Sequence, residues 1–338
     1  MGIRVIKGGM LTTVQDLGRY GYQSQGFSVA GVMDRRAFKI ANLLLDNPEN
    51  EAVLEITLIG PTLEFTSATI IAITGGDFGP TINGEPAPMY TALYMKKGDI
   101  LKFGSARTGT RGYIAFSSYL DIPVVMGSRC TNLKSRIGGF KGRKLREGDY
   151  IGFRIKRRYL PFFLSRHLPQ EDFSSDEAQL RVVMGPQDDR FSRQGIETFL
   201  SEQYTVTSDF DRMGCRLEGP FIASAGASAD IISDGIAYGA IQVPSHGKPI
   251  ILLSDRQTTG GYAKIAAVIS VDIPKLVQRK TDHKITFTAV SIEEAQRLFI
   301  QEINELEDMR KAIHVPCKEV LESRLVAKRL RALMTETE

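Results

Sequence analysis

Short β-branched runs cut by glycine and proline recur along most of the chain, as in IRVIKGG, TLEFTSATIIAITGG, ILKFGSA, GYIAFSS, RVVMGP, IILLS, KIAAVIS and KITFTAV. Strands of this length with turn residues between them mark a mainly β protein built from barrels or sandwiches. Helices are few. Asp34 stands as an N-cap before an apolar stripe at Ala37, Ile40, Ala41 and Leu44, and Asn47-Pro48 ends it. QDDRFSRQGIETFLSEQ predicts a weaker helix because Gly195 lies inside it. Ser291 and Glu294 form a capping box for a third, with Ala295, Leu298, Phe299 and Ile303 on one face. The end, CKEVLESRLVAKRLRALMTETE, predicts an amphipathic helical tail with Leu321, Leu325, Leu330 and Leu333 on its apolar side.

A chain of 338 residues is long enough for about two domains. An internal echo supports that division. RVIKGG at Arg4 resembles RVVMGP at Arg181, and Asp34-Arg35 recurs as Asp211-Arg212 at the same separation. Gly60-Pro61 is matched by Gly219-Pro220, and Gly112-Tyr113 by Gly261-Tyr262. Read as a duplication, this divides the chain into a first β-unit over residues 1–160, a linker over 161–178, a second β-unit over 179–292 and C-terminal helices over 293–338. The junction between two such units is a favoured place for a ligand pocket.

Lysine and arginine number 43 against 39 acidic residues, a net charge of +4. That field is too weak to imply nucleic acid, so any anion site must be local. Cys130, Cys215 and Cys317 are scattered, and His167, His246, His283 and His314 fall at no ligand spacing, so no metal site is expected. The start, MGIRVIKGGM, lacks the apolar core of a secretory signal, and no apolar run approaches the roughly 18 residues that span a bilayer. The expectation is a cytoplasmic protein with no membrane partner.

Three segments stand out chemically. SDRQTTGGYAKI packs Asp255, Arg256, Gln257, Thr258, Thr259, Tyr262 and Lys264 around Gly260-Gly261, between two apolar runs. It is no phosphate loop of the GxxxxGK[ST] kind, because a strand-like run follows it. Either it presents amides, hydroxyls and cations to an anion, or it is a structural loop. GSRCTNLKSRIGGFKGRKLREGD holds Arg129 and Arg143 among five glycines, and reads equally as an anion-binding loop or a solvated connection. The segment from Thr12 to Asn42 places Gln15, Asp16 and Arg19 ahead of the first helix, and SDFDRMGCRLEG repeats its acid-base juxtaposition at Asp211 and Arg212. Ion pairs at a domain interface have the same appearance.

TTVQDLGRYGY, SVAGVMDRRA with IAN, GSRCTNL with IGGFKGR, MGPQDD with Phe191, SDFDRMGCRLEGP, IQVPSHGKPIILLSDRQTTGGYAKIA and VDIPKLVQ occur in that order between about residue 4 and about residue 290. Together they resemble the family of 5-oxoprolinase C-type subunits, also called KipA-like or allophanate hydrolase subunit 2-like and related to biotin-dependent carboxyltransferases. The resemblance implies two tandem cyclophilin-like β-barrel domains. It implies A-type and KipI-like B-type subunits of 5-oxoprolinase as partners, and ATP with Mg2+, at the level of the complex, driving the opening of 5-oxo-L-proline to L-glutamate. Two alternatives stay open: a KipA-like regulator that antagonises a kinase inhibitor, and a carboxyltransferase component acting on urea or another small amide. Only the latter would need biotin, carried on another polypeptide.

A lactam is a resonance-stabilised amide, so its opening develops charge on oxygen that cations and backbone amides can hold. Arg256, Lys264 and Arg212 are the candidate anion stabilisers, with Asp255 as base or orienter. Substrate or anion contacts are expected from Gln257, Thr258, Thr259, Gly260, Gly261, Tyr262 and Gln242, and from Gln15, Asp16, Arg19, Arg129 and Arg143. No nucleophile-base pair for covalent catalysis is readable.

Overall fold

The computed structural model of the protein describes residues 1–226 and 230–316. From its start to Gly152 the chain forms two antiparallel sheets. One runs in the order Tyr150–Gly152, Gly2–Lys7, Thr62–Phe65, Ile100–Lys102, Thr81–Ile82 and Glu85–Pro86. The other runs Leu11–Gln15, Val53–Thr57, Thr108–Phe116, Thr69–Asp77 and Ala92–Met95. Later strands close into a seven-stranded barrel in the order Glu177–Met184, Lys264–Val268, Ala240–Gln242, Ile250–Leu252, Gly214–Glu218, Tyr204–Phe210 and Lys284–Ala289. Closure comes from the parallel pairing of its first and last strands, Glu177–Met184 with Lys284–Ala289. A two-stranded ribbon of Asp230–Gly235 and Thr259–Tyr262 stands apart from the barrel ladder.

The helices are α1 (Arg35–Leu44), α2 (Arg193–Ser201), α3 (Ile273–Val277) and α4 (Ile292–Ile313). Asp34 caps α1 by accepting from Ala37 N, Ser192 caps α2 from Gly195 N, and Ser291 caps α4 from Glu294 N. Each cap satisfies an amide that the first helical turn leaves without a partner. The run TIIAIT is continuously apolar because both of its faces are covered. Ile71 and Ile73 point between the sheets with Leu54, Ile56, Ile114 and Phe116, whereas Ile70 and Ala72 point outward onto α1 with Val53, Tyr113 and Ala115. Glu55 alternates onto that second face and is buried there.

Glu55 is where the halves meet. Its Oε2 accepts from Met33 N at 2.7 Å and Tyr113 Oη at 2.9 Å, and its Oε1 receives Arg212 Nη1 from the barrel. Arg212 also donates to Gly31 O and makes a forked pair with Asp255 at 3.1 and 2.9 Å. Gly31 is held at φ +89°, and a Cβ there would lie 2.7 Å from the Leu17 carbonyl carbon, so only glycine fits. Burial alone would lower the Arg212 guanidinium, but Asp255 and Glu55 outweigh it and hold the charge on. A second fastening comes from Gln278, whose Oε1 accepts from Thr110 N at 2.9 Å and Arg111 N at 3.0 Å. Its Nε2 donates to Asp34 Oδ2 at 2.8 Å and Arg111 O at 3.0 Å.

Three expectations change. The face predicted for α4 is not the buried one: Phe299 is 43% and Ile303 46% exposed, because the helix rests on α1 through Leu306, Met309 and Ile313. The Asp-Arg echo joins unlike places, since Asp34 caps a helix while Asp211 accepts from Met213 N and Gly214 N in a hairpin turn. Only the Arg4 and Arg181 runs correspond, each a strand at the start of its half. The tail helix predicted with Leu321, Leu325, Leu330 and Leu333 lies outside the described residues, as does Cys317.

Two outcomes follow for stability. Arg212→Met leaves two buried carboxylates without their cation, and urea denaturation is expected to show a loss of about 3–5 kcal/mol. Arg4→Ala, which removes the solvent-facing pair with Glu64 at 3.2 Å, is expected to cost under about 1 kcal/mol in the same assay. Burial, reinforced by Glu171, pushes the Asp34 carboxyl from 3.8 up to about 7, against the Ala37 and Gln278 donors. Because the folded value is raised, stability present at low pH is lost as pH climbs between 3.8 and about 7. Asp34→Asn is expected to flatten that part of the pH–stability curve, measured by denaturation at each pH.

Candidate functional site

The loop that follows strand Ile250–Leu252 turns at the junction of the two halves and borders a cavity of about 250 Å3. Gln23, Ser28 and Val29 form one wall, and Gly235, Ile236, Arg256, Gln257 and Thr258 form the other. The walls are tied together, since Ser28 Oγ donates to Arg256 O at 2.8 Å and Ser254 Oγ to Val32 O at 2.9 Å. Arg256 is half-buried. Its Nε donates to Ile236 O at 3.0 Å and its Nη1 to Leu253 O at 3.2 Å, while the guanidinium carbon lies 5.5 Å from the Tyr238 ring centroid. No carboxylate among the described residues pairs with it, and burial holds it below the usual arginine range. The Nη2 group is left for a ligand.

The rest of the segment has a different task. Thr259, Gly260 and Tyr262 pair with Gly235, Asp234 and Asp230 in the ribbon. A Cβ on Gly260 would lie 2.7 Å from Ile236 Cδ1, 2.9 Å from Gln242 Nε2 and 3.0 Å from Gln257 Nε2, so the glycine lets two side-chain amides approach the backbone. Gln242 Nε2 donates to Tyr262 O at 3.1 Å. Lys264 Nζ donates to Asp234 Oδ2 at 2.9 Å, and Gln187 joins Asp234 to the Lys264 amide. The ammonium expected to stabilise an anion is thus engaged in fastening the ribbon to the barrel.

Arg212 and Asp255 do not face the cavity. Expected as anion stabiliser and base, they are buried and paired with each other and with Glu55. Burial pushes the Asp255 carboxyl up while Arg212 pulls it down. The clamp instead orients the next residue, Arg256.

Gln15, Asp16 and Arg19 lie behind the first wall. Asp16 accepts from Gly18 N at 2.9 Å, Ser128 Oγ at 2.7 Å and Arg129 N at 2.6 Å, which fills its acceptor capacity. Gln15 Nε2 donates to Thr13 Oγ1 and Thr131 O, and Arg19 Nη2 to Cys130 O at 2.8 Å. Arg19 N and Val32 N bond Val29 O and Asp16 O, so this layer holds the wall in place without touching its contents. Arg129 donates Nε to Ile122 O, and Arg143 is committed to Asp149 in a fork of two 2.7 Å bonds. Neither lines the cavity. Sequence reasoning missed Glu55, Tyr238 and Gln278, whose partners lie far away in the chain, and Ser28 and Gln23, whose glycine-rich surroundings resemble an ordinary loop.

A roomier hollow of about 360 Å3 lies along the barrel at Glu177, Gln179, Arg181, Lys275 and Arg279. Arg181 and Lys275 are neutralised there by Asp272, and Arg279 by the carbonyls of Ser175 and Glu177. The smaller cavity, with its cation unmatched, is the better candidate site.

The family described as carboxyltransferase domain, subdomain A and B, matches residues 25–289. The C-type subunit of 5-oxoprolinase from Escherichia coli is 35% identical over 303 residues, covering 87% of this chain and 93% of that protein. Urea amidolyase of Saccharomyces cerevisiae is 30% identical over 312 residues, 88% of this chain but 17% of that much longer protein. The crystal structure of K. lactis urea amidolyase superposes with a TM-score of 0.84 at 28% identity, over 91% of this chain and 20% of that one. The chain therefore belongs to the carboxyltransferase-domain family, in which the C-type subunit of 5-oxoprolinase and a section of urea amidolyase are its relatives.

Proposed function

We propose that this chain is the C-type subunit of an enzyme complex that opens 5-oxo-L-proline to L-glutamate with hydrolysis of ATP, acting beside KipI-like B-type and A-type subunits. The likeness to a bacterial C-type subunit of 5-oxoprolinase over most of both chains supports the assignment. The observation that carries it to a place is the junction cavity, where the Arg256 guanidinium meets no carboxylate and Ser28, Gln257 and Thr258 offer hydroxyl and amide groups. Its volume of about 250 Å3 falls below the roughly 300–1,000 Å3 of drug-sized ligand pockets, and suits a small amide.

Within that cavity the chain's task is to bind and orient. Arg256 and the Gln257 amide would hold developing negative charge on the lactam oxygens, in a site fixed beforehand by the Arg212 clamp. ATP supplies the activation of the lactam carbonyl at the level of the complex. The nucleotide does not fit this cavity: it is small, and the loop continues into strand Thr259–Tyr262, where a phosphate loop would open a helix. ATP and Mg2+ would then belong to a neighbouring polypeptide. Carboxyl transfer from a biotinylated carrier to a small amide is a second reading, favoured by the superposition on urea amidolyase.

Co-expression with candidate A-type and B-type subunits is expected to give a complex whose ATP hydrolysis is stimulated by 5-oxoproline and which shows no biotin on a streptavidin blot. Stimulation absent from an intact complex would sink the reading in favour of a binding-only role, and a biotinylated partner would favour the carboxylase. Arg256→Gln is expected to lower kcat/KM by about 100-fold or more while the subunits still co-purify. Unchanged turnover would remove the cavity from the reaction.

A further inference from the structure

Arg256 is not the only cation at the junction without an acid. Arg35, the first residue of α1, directs its guanidinium to the same aromatic ring, with its carbon 4.6 Å from the Tyr238 centroid against 5.5 Å for Arg256. Its one side-chain hydrogen bond among the described residues is from Nη2 to Tyr20 Oη at 2.9 Å, and no carboxylate pairs with it. The nearest acids in sequence are already engaged. Asp34 caps α1 and receives Gln278, and Asp255 is held by Arg212. Tyr238 is itself fixed, its hydroxyl donating to Met33 O at 3.1 Å, so the ring that carries both cations cannot swing away.

Two guanidiniums sharing one ring repel each other, and Arg35 adds to burial in holding Arg256 below its usual range. The ring faces offset part of that cost. Elsewhere at this junction the buried cations have their counter-ions, as Arg212 and Lys264 show. An arrangement that brings two planar forks together and leaves both without an acid is complete only when an anion sits between them.

We propose that Arg35 and Arg256, set on the shared Tyr238 ring, form a carboxylate-binding subsite of the junction cavity, so that the cavity selects an anionic small amide over a neutral one. The inference rests on reading this cavity as the amide site, and it makes Arg35 a specificity-determining residue. A neutral molecule such as urea would leave both cations unmatched, whereas the ring carboxylate of 5-oxoproline would supply the missing charge.

The test titrates the purified full chain, and in parallel its assembled complex, with 5-oxoproline, with 5-oxoprolinamide, with urea and with inorganic phosphate, following heat by calorimetry. 5-Oxoprolinamide keeps the lactam ring and replaces the carboxylate by a neutral carboxamide. The acid is expected to bind at least about tenfold more tightly than the amide. Arg35→Gln is expected to weaken the acid by about tenfold and leave the amide unchanged, so that the preference disappears. Equal binding of acid and amide, loss of both together in Arg35→Gln, no binding of the acid to chain or complex, or tighter binding of phosphate than of the acid would each overturn the proposal. A complex that turns over 5-oxoproline with the same KM in Arg35→Gln sinks the subsite and spares the proposed reaction. Acid-selective binding by a complex with no turnover does the reverse.

Discussion

A guanidinium withdrawn from water has to be surrounded by oxygen, and in this molecule that demand falls on Arg212. The oxygens come from three stretches distant in sequence: Glu55 on a strand of the second sheet, Gly31 in the long loop before α1, and Asp255 beyond a barrel strand. None suffices alone. Desolvating one cation and two carboxylates costs several kcal/mol per ion, and the attraction offsets this only when all are in place. Correct docking of the halves is therefore a condition of burying the cluster at all. Such a cluster specifies one arrangement more than it adds stability.

The candidate site inherits its geometry from that clamp. Asp255 cannot move without unpairing Arg212, so Arg256, one residue on, is delivered to the cavity in a set position. The opposite wall is fixed in the same manner by Asp16, which accepts three hydrogen bonds from Gly18, Ser128 and Arg129. Rigid supports behind a small set of exposed polar groups are the usual condition for binding a small, polar molecule selectively.

The strands, the helices with their caps at Asp34 and Ser291, and the importance of the Asp255–Lys264 segment are legible because each depends on neighbours within a few residues. The pattern of β-branched runs predicts sheets, and resemblance extends this to paired barrels. The structure closes the second half into a seven-stranded barrel and packs the first as two sheets. What the pattern does not carry is who faces whom. Arg212 and Asp255 have the residue types of a catalytic pair, yet the acid that decides their role, Glu55, sits inside an apolar strand, VLEIT, where it resembles a solvent-facing position. Tyr238 and Gln278 carry no local signal, since a tyrosine and a glutamine acquire meaning only from the distant backbone they reach. Lys264 looks free in the sequence because its partner, Asp234, belongs to a ribbon whose pairing depends on a register shift.

Gln278 has a mechanical consequence. Its amide grips the main chain of Thr110 and Arg111 through both oxygen and nitrogen, with no valence left over for a second grip. Rotating one half of the molecule against the other would strip these bonds in a dry setting where water could not replace them. The two halves thus behave as a single casting, and passage into the crevice between them falls to the ribbon at Asp234, moored by Lys264 and Gln187. A visitor enters by lifting a flap, not by parting jaws.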